Sequence, residues 1–264
     1  MATEDASRPV ANRIAVLIAG GGLANAFVNK LAERFPDLVV IQEQGEEPSV
    51  ILRRRAKLRG WWNAIGQHLF TYYGLRAVAR LGKARVNQIC AEHHLERDLR
   101  PGIEVRHVPS VNSGESHAHL RALQPQAVAV YGTRIIRKET LAAIDAPFIN
   151  YHAGLNPKYR GQSGAYWALR NGDAEHAGLT IHLVDQGVDT GDVLYQARSA
   201  FTKADNFQTY HFVQMAQAVP LMIQALEDAI HGRLKPFKPD LPSQQFFMPT
   251  LWGYAWAGLT KGVW

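Results

Sequence analysis

Short apolar runs alternating with helix-patterned segments predict an α/β fold, a mostly parallel, twisted sheet with helices on both faces. Three observations carry this expectation. Arg13 to Ala19 is almost continuously apolar, as a strand covered on both faces must be, and it ends at Gly20-Gly21-Gly22, where a helix can open. Similar runs recur along the chain with helical stretches between them. A long segment near the C-terminal end, Asn206 to Ile230, sets Phe212, Met215, Val219, Ile223, Leu226 and Ile230 at helical spacing.

Taken in order, the first strand leads into a helix over Asn25 to Arg34, stopped by Phe35-Pro36. Asp37 to Gln42 is a second strand. Ile103 to Val108 and Gln126 to Tyr131 follow as strands, with a helix at His117 to Leu123 between them. Pro147 to His152 and Leu179 to Val184 are strands on either side of a helix at Gly164 to Asn171. Val193 to Phe201, rich in strand-forming residues, reads as a hairpin partner. The long helix closes at His231-Gly232. Such alternation is Rossmann-like. Two regions stand outside it. Residues 45–99 hold a basic cluster (Arg53, Arg54, Arg55, Lys57, Arg59) and the aromatics Trp61, Trp62, Phe70, Tyr72 and Tyr73, and read as two helices. From Lys235 the chain is Pro-rich, then aromatic, with Phe246, Phe247, Trp252, Tyr254, Trp256 and Trp264.

Composition narrows the function classes. The 264 residues are 47% hydrophobic and 20% charged, enough to bury a sizeable core and unlike a disordered chain. The single Cys90 excludes an internal disulfide framework and suits a reducing compartment. No apolar run approaches the roughly 18 to 20 residues that span a bilayer. The N-terminal Met-Ala-Thr-Glu-Asp lacks the form of a secretory signal, so a cytoplasmic enzyme is expected. Of the net charge of +6, much is local to the Arg53–Arg59 cluster, which suits nucleic acid, an anionic membrane, a phosphorylated substrate or simply a solvated helix face.

The chemistry concentrates between Asn150 and Asp192. Asn150 and His152 close an apolar run two residues apart, so on a strand their side chains share a face. Asp189 lies 37 residues after His152, in a turn flanked by Gly187 and Gly191. An amide, an imidazole and a carboxylate together can stabilise an oxyanion and move a proton at an acyl carbon. The Gly20-Gly21-Gly22 loop could bring backbone close to a phosphate at a helix N-terminus, or be a tight turn only. It has neither GxGxxG spacing nor a P-loop lysine. No metal-ligand set is evident.

Asn150-x-His152 with Pro157 and Gly161 downstream, then Trp167 to Gly172, then Asp189 in an Asp-x-Gly turn, resembles the formyltransferase family that uses 10-formyltetrahydrofolate. The resemblance runs from about Arg13 to Arg233 and largely lapses between Gln44 and Ile103. It implies a catalytic domain over residues 1–234, with the basic, aromatic segment at about 45–99 as a helical insert and 235–264 as an extension. It implies 10-formyltetrahydrofolate as formyl donor and Asn150, His152 and Asp189 as the catalytic set. Asn150 and His152 would donate to the formyl oxygen as negative charge builds there, each such donor being worth ~3 kcal/mol. Asp189 would orient His152 and relay a proton through water, a contribution of ~10² to 10⁴ in rate. Tyr131, Gly132, Thr133, Arg134, Ile135 and Ile136 would line the pterin pocket, with Asp185 and Gly187 closing its other side. Gly20, Gly21, Gly22, Tyr159 and Arg160 would face the acceptor.

The resemblance also orders the acceptors. Leu23-Ala24 replaces the polar residue that follows the glycine loop in purine-pathway relatives, which disfavours glycinamide ribonucleotide. The tail is short for the appended tRNA-binding domain of other relatives, so no nucleic-acid partner is expected. A nucleotide-linked amino sugar or another small-molecule amine is the expected acceptor. Two alternatives stand: a hydrolase releasing formate with the same three residues, and a non-catalytic module that binds a partner through the aromatic insert and tail. Those aromatics also suit a homodimer contact or a peripheral membrane contact.

Overall fold

The computed structural model describes residues 13–264; the reading of the N-terminal residues falls outside them. The first strand, β1 (Ile14–Ile18), is inaccessible along its whole length, and Gly20 and Gly21, both at positive φ, turn the chain into α1 (Gly22–Arg34). Then come β2 (Val39–Glu43), α2 (Pro48–Arg59), α3 (Trp61–Leu69), a π-helical turn at Phe70–Gly74, and α4 (Leu75–Glu92). The chain continues through β3 (Glu104–Val108), α5 (Gly114–Leu123), β4 (Ala127–Tyr131), α6 (Lys138–Leu141) and β5 (Phe148–His152). Last are β6 (Arg160–Gly161), α7 (Gly164–Arg170), β7 (Gly178–Leu183), β8 (Val193–Arg198), α8 (Phe207–Ile230), β9 (Gln245–Phe246) and α9 (Leu251–Lys261).

Seven strands form one sheet in the order β3-β2-β1-β4-β5-β7-β8. The five strands from β3 to β5 are parallel, and β7 and β8 add on antiparallel as the expected hairpin. From β1 the chain steps outward to β2 and β3, then crosses back to β4, so strand order reverses between β1 and β4. A crevice opens beyond the strand ends at such a point. One face packs on α1, α4 and α8 through Phe27, Ile89, Tyr151 and Met215. The other packs on α5 and the segment around Val111 and Ile136. Sheet order and helix placement agree with the α/β expectation. The long helix opens where a capping box requires: the Asn206 side chain accepts from the Thr209 amide while Thr209 reaches back to the Asn206 amide.

The helical segment follows its reading as two helical runs, since Gly60 at φ 80 ends α2 and starts α3, and the π-helical turn then joins α3 to α4 without a break. The aromatic tail is not loose either. Thr250 caps α9, and α9 lies on α3, where the Trp62 and Trp252 rings stack at 4.4 Å. Gly66 permits that approach, since a Cβ there would sit 2.4 Å from the Trp252 ring. Upstream, β9 pairs with β6 and stacks Phe246 on Tyr159.

Candidate active site

Strand alternation builds the polar cluster. In β5, Ile149 and Tyr151 face the core under α8, so Asn150 and His152 face the other way. Antiparallel pairing then sets His182 of β7 directly opposite Asn150. The segment after β7 folds back over these three side chains. Its turn is held by the Asp185 carboxylate, which accepts from the Gly187 amide (3.0 Å) and the Thr190 hydroxyl (2.7 Å). Asp189 follows at φ 52, a left-handed conformation uncommon outside glycine, and its carboxylate is thereby aimed inward.

The expected amide, imidazole and carboxylate therefore meet. Asp189 Oδ2 lies 3.4 Å from His152 Nδ1 and accepts from the Gly161 amide at 2.9 Å. Asp189 Oδ1 lies 3.5 Å from both Asn150 Nδ2 and His182 Nε2. His152 is buried, and its Nε2 donates to the Tyr159 carbonyl at 2.8 Å, so that nitrogen carries a proton and Nδ1 is the one presented to Asp189. His182 donates from Nδ1 to the Leu183 carbonyl (2.7 Å), which leaves Nε2 to accept from Asn150 Nδ2 at 3.1 Å. Burial alone would raise the Asp189 carboxyl, but His152, His182 and the Gly161 amide beside it hold it well below the usual carboxylate range. The result is a fixed negative charge under a half-exposed amide.

The pieces around the cluster divide between contact and support. Gly132 and Thr133 begin the loop after β4, and a Cβ at Gly132 would meet nothing within 4 Å, so space is open beside it. Ile135 stands 59% exposed on the same loop, whereas Ile136 is buried in the core beneath it and forms no pocket wall. Arg134 is a brace: its amide donates to Glu43 (2.6 Å) and its guanidinium to the carbonyls of Pro109 (2.9 Å) and Gln44 (2.6 Å). Tyr159 and Arg160 differ from the reading that placed them against the acceptor. The Tyr159 ring is buried on Phe246 and its hydroxyl donates to Asp173 at 2.7 Å, so only its carbonyl reaches the cluster. Arg160 donates to the Val188 carbonyl (2.7 Å) and Ser243 Oγ (2.9 Å), fastening the turn that carries Asp189.

Across the sheet, at the same strand ends, a cleft of about 380 Å³ is lined by Gly22, Leu23, Arg97, Tyr131, Gln208, His211 and Phe212. Of the glycine loop, Gly22 is in its wall, with Gly20 and Gly21 leading up to it. Tyr131 stacks on Tyr151 at 5.2 Å, and burial pushes its hydroxyl up. Burial also brings the His211 ring down to about 4, with His152 adding to the fall, so His211 is neutral at pH 7. Arg97 is then the cationic group of that wall. His182, Arg97, Gln208 and His211 were not singled out by sequence. Only His182 left a signal, as a lone imidazole in the otherwise apolar run Leu179 to Val184.

Comparison with known proteins bears on family and fold. Residues 67–226 match the family model described as formyl transferase. A methionyl-tRNA formyltransferase from Caldanaerobacter subterraneus is 36% identical over 146 residues, 54% of this chain and 47% of that protein. One from Pelotomaculum thermopropionicum is 39% identical over 136 residues, 51% of this chain and 42% of that protein. The chain thus spans about half the length of the curated relatives it matches. Among solved structures, a sugar N-formyltransferase from a Shewanella species superposes with TM-score 0.53 and 15% identity, over 89% of this chain and 76% of that one. A 4-N formyltransferase from Francisella tularensis gives TM-score 0.55 and 12% identity over the same shares. At these identities the structures speak for the fold.

Proposed function

This chain belongs to the formyl transferase family, and on that premise we propose that it moves a formyl group from 10-formyltetrahydrofolate to an amine of a small metabolite, a nucleotide-linked amino sugar being the favoured acceptor. The observation that carries the reading is the convergence of Asn150, His152 and Asp189 from three separated positions. The donor supplies the formyl carbon when bound. The residues present suit it: a half-exposed amide at Asn150, open space beside Gly132, and an exposed apolar side chain at Ile135 that can cover a flat ring.

Each residue then has a task. Asn150 is already oriented by His182, and its amide donates to the formyl oxygen as negative charge builds there. Asp189 faces the Nδ1 edge of His152 at 3.4 Å while the Tyr159 carbonyl accepts from Nε2, and together they fix the ring beside that oxygen. As the amine nitrogen bonds to the formyl carbon and the bond from that carbon to the donor's nitrogen breaks, the amine's proton would pass through water beside Asp189 to that nitrogen, which leaves as tetrahydrofolate. The glycine loop and Arg97 suit an anionic group of the acceptor, such as a phosphate, on the far side of the strand ends. No helix among the described residues is long and apolar enough to cross a membrane, and we propose a cytoplasmic setting on the ground of the family alone.

The test is product analysis. Purified protein with 10-formyltetrahydrofolate is offered a panel of nucleotide-linked amino sugars and, separately, methionyl-tRNA. Mass gain on a sugar amine with stoichiometric tetrahydrofolate supports the reading. Formate release without any amine indicates the hydrolase, and formylation of methionyl-tRNA alone would replace the acceptor with that of the curated relatives.

A further inference from the structure

Charge is distributed very unevenly along this chain. Between Pro48 and Ala91 there are nine Lys and Arg and no Asp or Glu, and from Leu241 onward there is one Lys and again no acid. Those two stretches hold ten of the 29 bases and none of the 23 acids, so the rest of the chain is net negative. The fold brings the two stretches together. Stacking of Trp62 on Trp252 joins α3 to α9, and the Arg59 guanidinium lies 4.9 Å from the Phe247 ring centre. Around that junction large apolar side chains face outward: Leu58 is 64% exposed, Trp61 60%, Trp62 71%, Trp256 56% and Leu259 79%. Trp256 and Leu259 follow Trp252 at i+4 and i+7, so they extend one helix face. On α2, Arg53 and Lys57 are exposed and form no ion pair among the described residues.

We propose that α2, α3 and α9 form a docking surface for an anionic phospholipid bilayer. Tryptophans with exposed leucines, flanked by the unpaired cations Arg53 and Lys57 and with no Asp or Glu within α2, α3 or α9, suit the boundary between headgroups and acyl chains. Cations draw the surface to anionic headgroups, and the indoles and leucines enter the interface. RNA would use the same cations and could stack on the tryptophans, but it has no use for Leu58 or Leu259. No helix among the described residues crosses the membrane, so the association is peripheral. This inference is independent of the acceptor's identity.

The experiment is flotation of the full chain with phosphatidylcholine vesicles containing or lacking phosphatidylglycerol, at low and high salt. The expected result is binding to the anionic vesicles that weakens with salt, each removed cation costing roughly fivefold in partitioning. Arg53→Glu with Lys57→Glu should therefore lower partitioning by more than tenfold. Trp256→Ser with Leu259→Ser, which leaves the charge unchanged, should lower it about tenfold, and Leu259→Ser alone, which keeps every tryptophan, should lower it while leaving any RNA binding in a gel-shift assay as it was. Should that pair perturb folding, Leu259→Ser alone keeps the test, since this side chain is almost free in solvent. Failure to float with anionic vesicles at low salt overturns the proposal. So does wild-type partitioning of the Trp256/Leu259 variant, displacement from vesicles by equimolar RNA, or a solution dimer that the same variant dissociates and that does not float.

Discussion

Replacing Asp189 with Asn keeps the size of the side chain and removes its charge. The amide oxygen can still accept from the Gly161 amide, now at 2.9 Å, so the turn has no reason to unfold. What is lost is the charge 3.4 Å from His152 Nδ1. Whenever the ring carries a proton on both nitrogens during turnover, two unit charges at that distance interact by about 5 kcal/mol at an effective dielectric of ~20. The new amide hydrogens would also face Asn150 Nδ2 and His182 Nε2, disturbing the donor aimed at the formyl oxygen. Part of the lost interaction is regained because a buried charge no longer has to be kept from water. We therefore predict that Asp189→Asn lowers kcat by ~10² to 10⁴ and leaves folate affinity within about threefold. The assay is tetrahydrofolate formation with a productive amine, paired with a folate titration and a thermal melt of the same sample. A variant that folds normally and turns over within tenfold of the parent would refute the assignment.

Other outcomes follow from the supporting contacts. Arg160→Ala frees the Val188 carbonyl and Ser243, so the Asp189 turn should loosen and turnover fall roughly tenfold with little change in Tm; an unchanged rate would mean that the turn needs no such brace. Gly66→Ala should destabilise by roughly 1–3 kcal/mol in urea unfolding although alanine is the better helix former, because its Cβ would overlap the Trp252 ring. A stabilised variant would contradict the packing of α3 on α9. Burial acts to raise the Asp173 carboxyl, but Lys158, Tyr159 and His176 outweigh it and hold it down to about 2. A folded value below the unfolded one, 3.8, makes its contribution full above about pH 4 and lost as pH falls toward 2. Asp173→Asn should remove roughly 1 kcal/mol of that acid dependence in melts across this range. His211 behaves likewise at higher pH: with its folded value near 4 against 6.5 unfolded, stability should fall as pH drops from about 6.5 to 4. His211→Gln should flatten that window, and an unchanged pH profile would argue against a neutral, half-buried ring in the cleft wall.

The sheet was legible because its central strands β1 and β4 are apolar on both faces and the helices between strands have helical period, so period and length agreed. The Asn150–His152 pair was legible because alternation along a strand fixes a shared face. His182 was not singled out, since its place opposite Asn150 depends on the register of two strands about thirty residues apart. Tyr159 and Arg160 sit beside the motif in sequence, but the irregular chain there gives no period from which to tell inward from outward. The brace made by Arg134 and Glu43, and the cleft wall made by Arg97, Gln208 and His211, join segments that only the folded chain brings together. The two helical runs of the 45–99 segment were legible from their patterning, but the π-helical turn inside the second left no sign in the sequence, since a widened turn keeps nearly the same side-chain period.

The most direct test of the central claim is calorimetric titration of the purified chain with a stable formyl-folate analogue. Formyl transfer requires one saturable site per chain, with affinity retained in Asp189→Asn and weakened when Gly132 is given a side chain that fills the open space beside it. Absence of binding by folded protein would contradict the account, and the Asn150, His152 and Asp189 cluster would then have to serve another acyl donor.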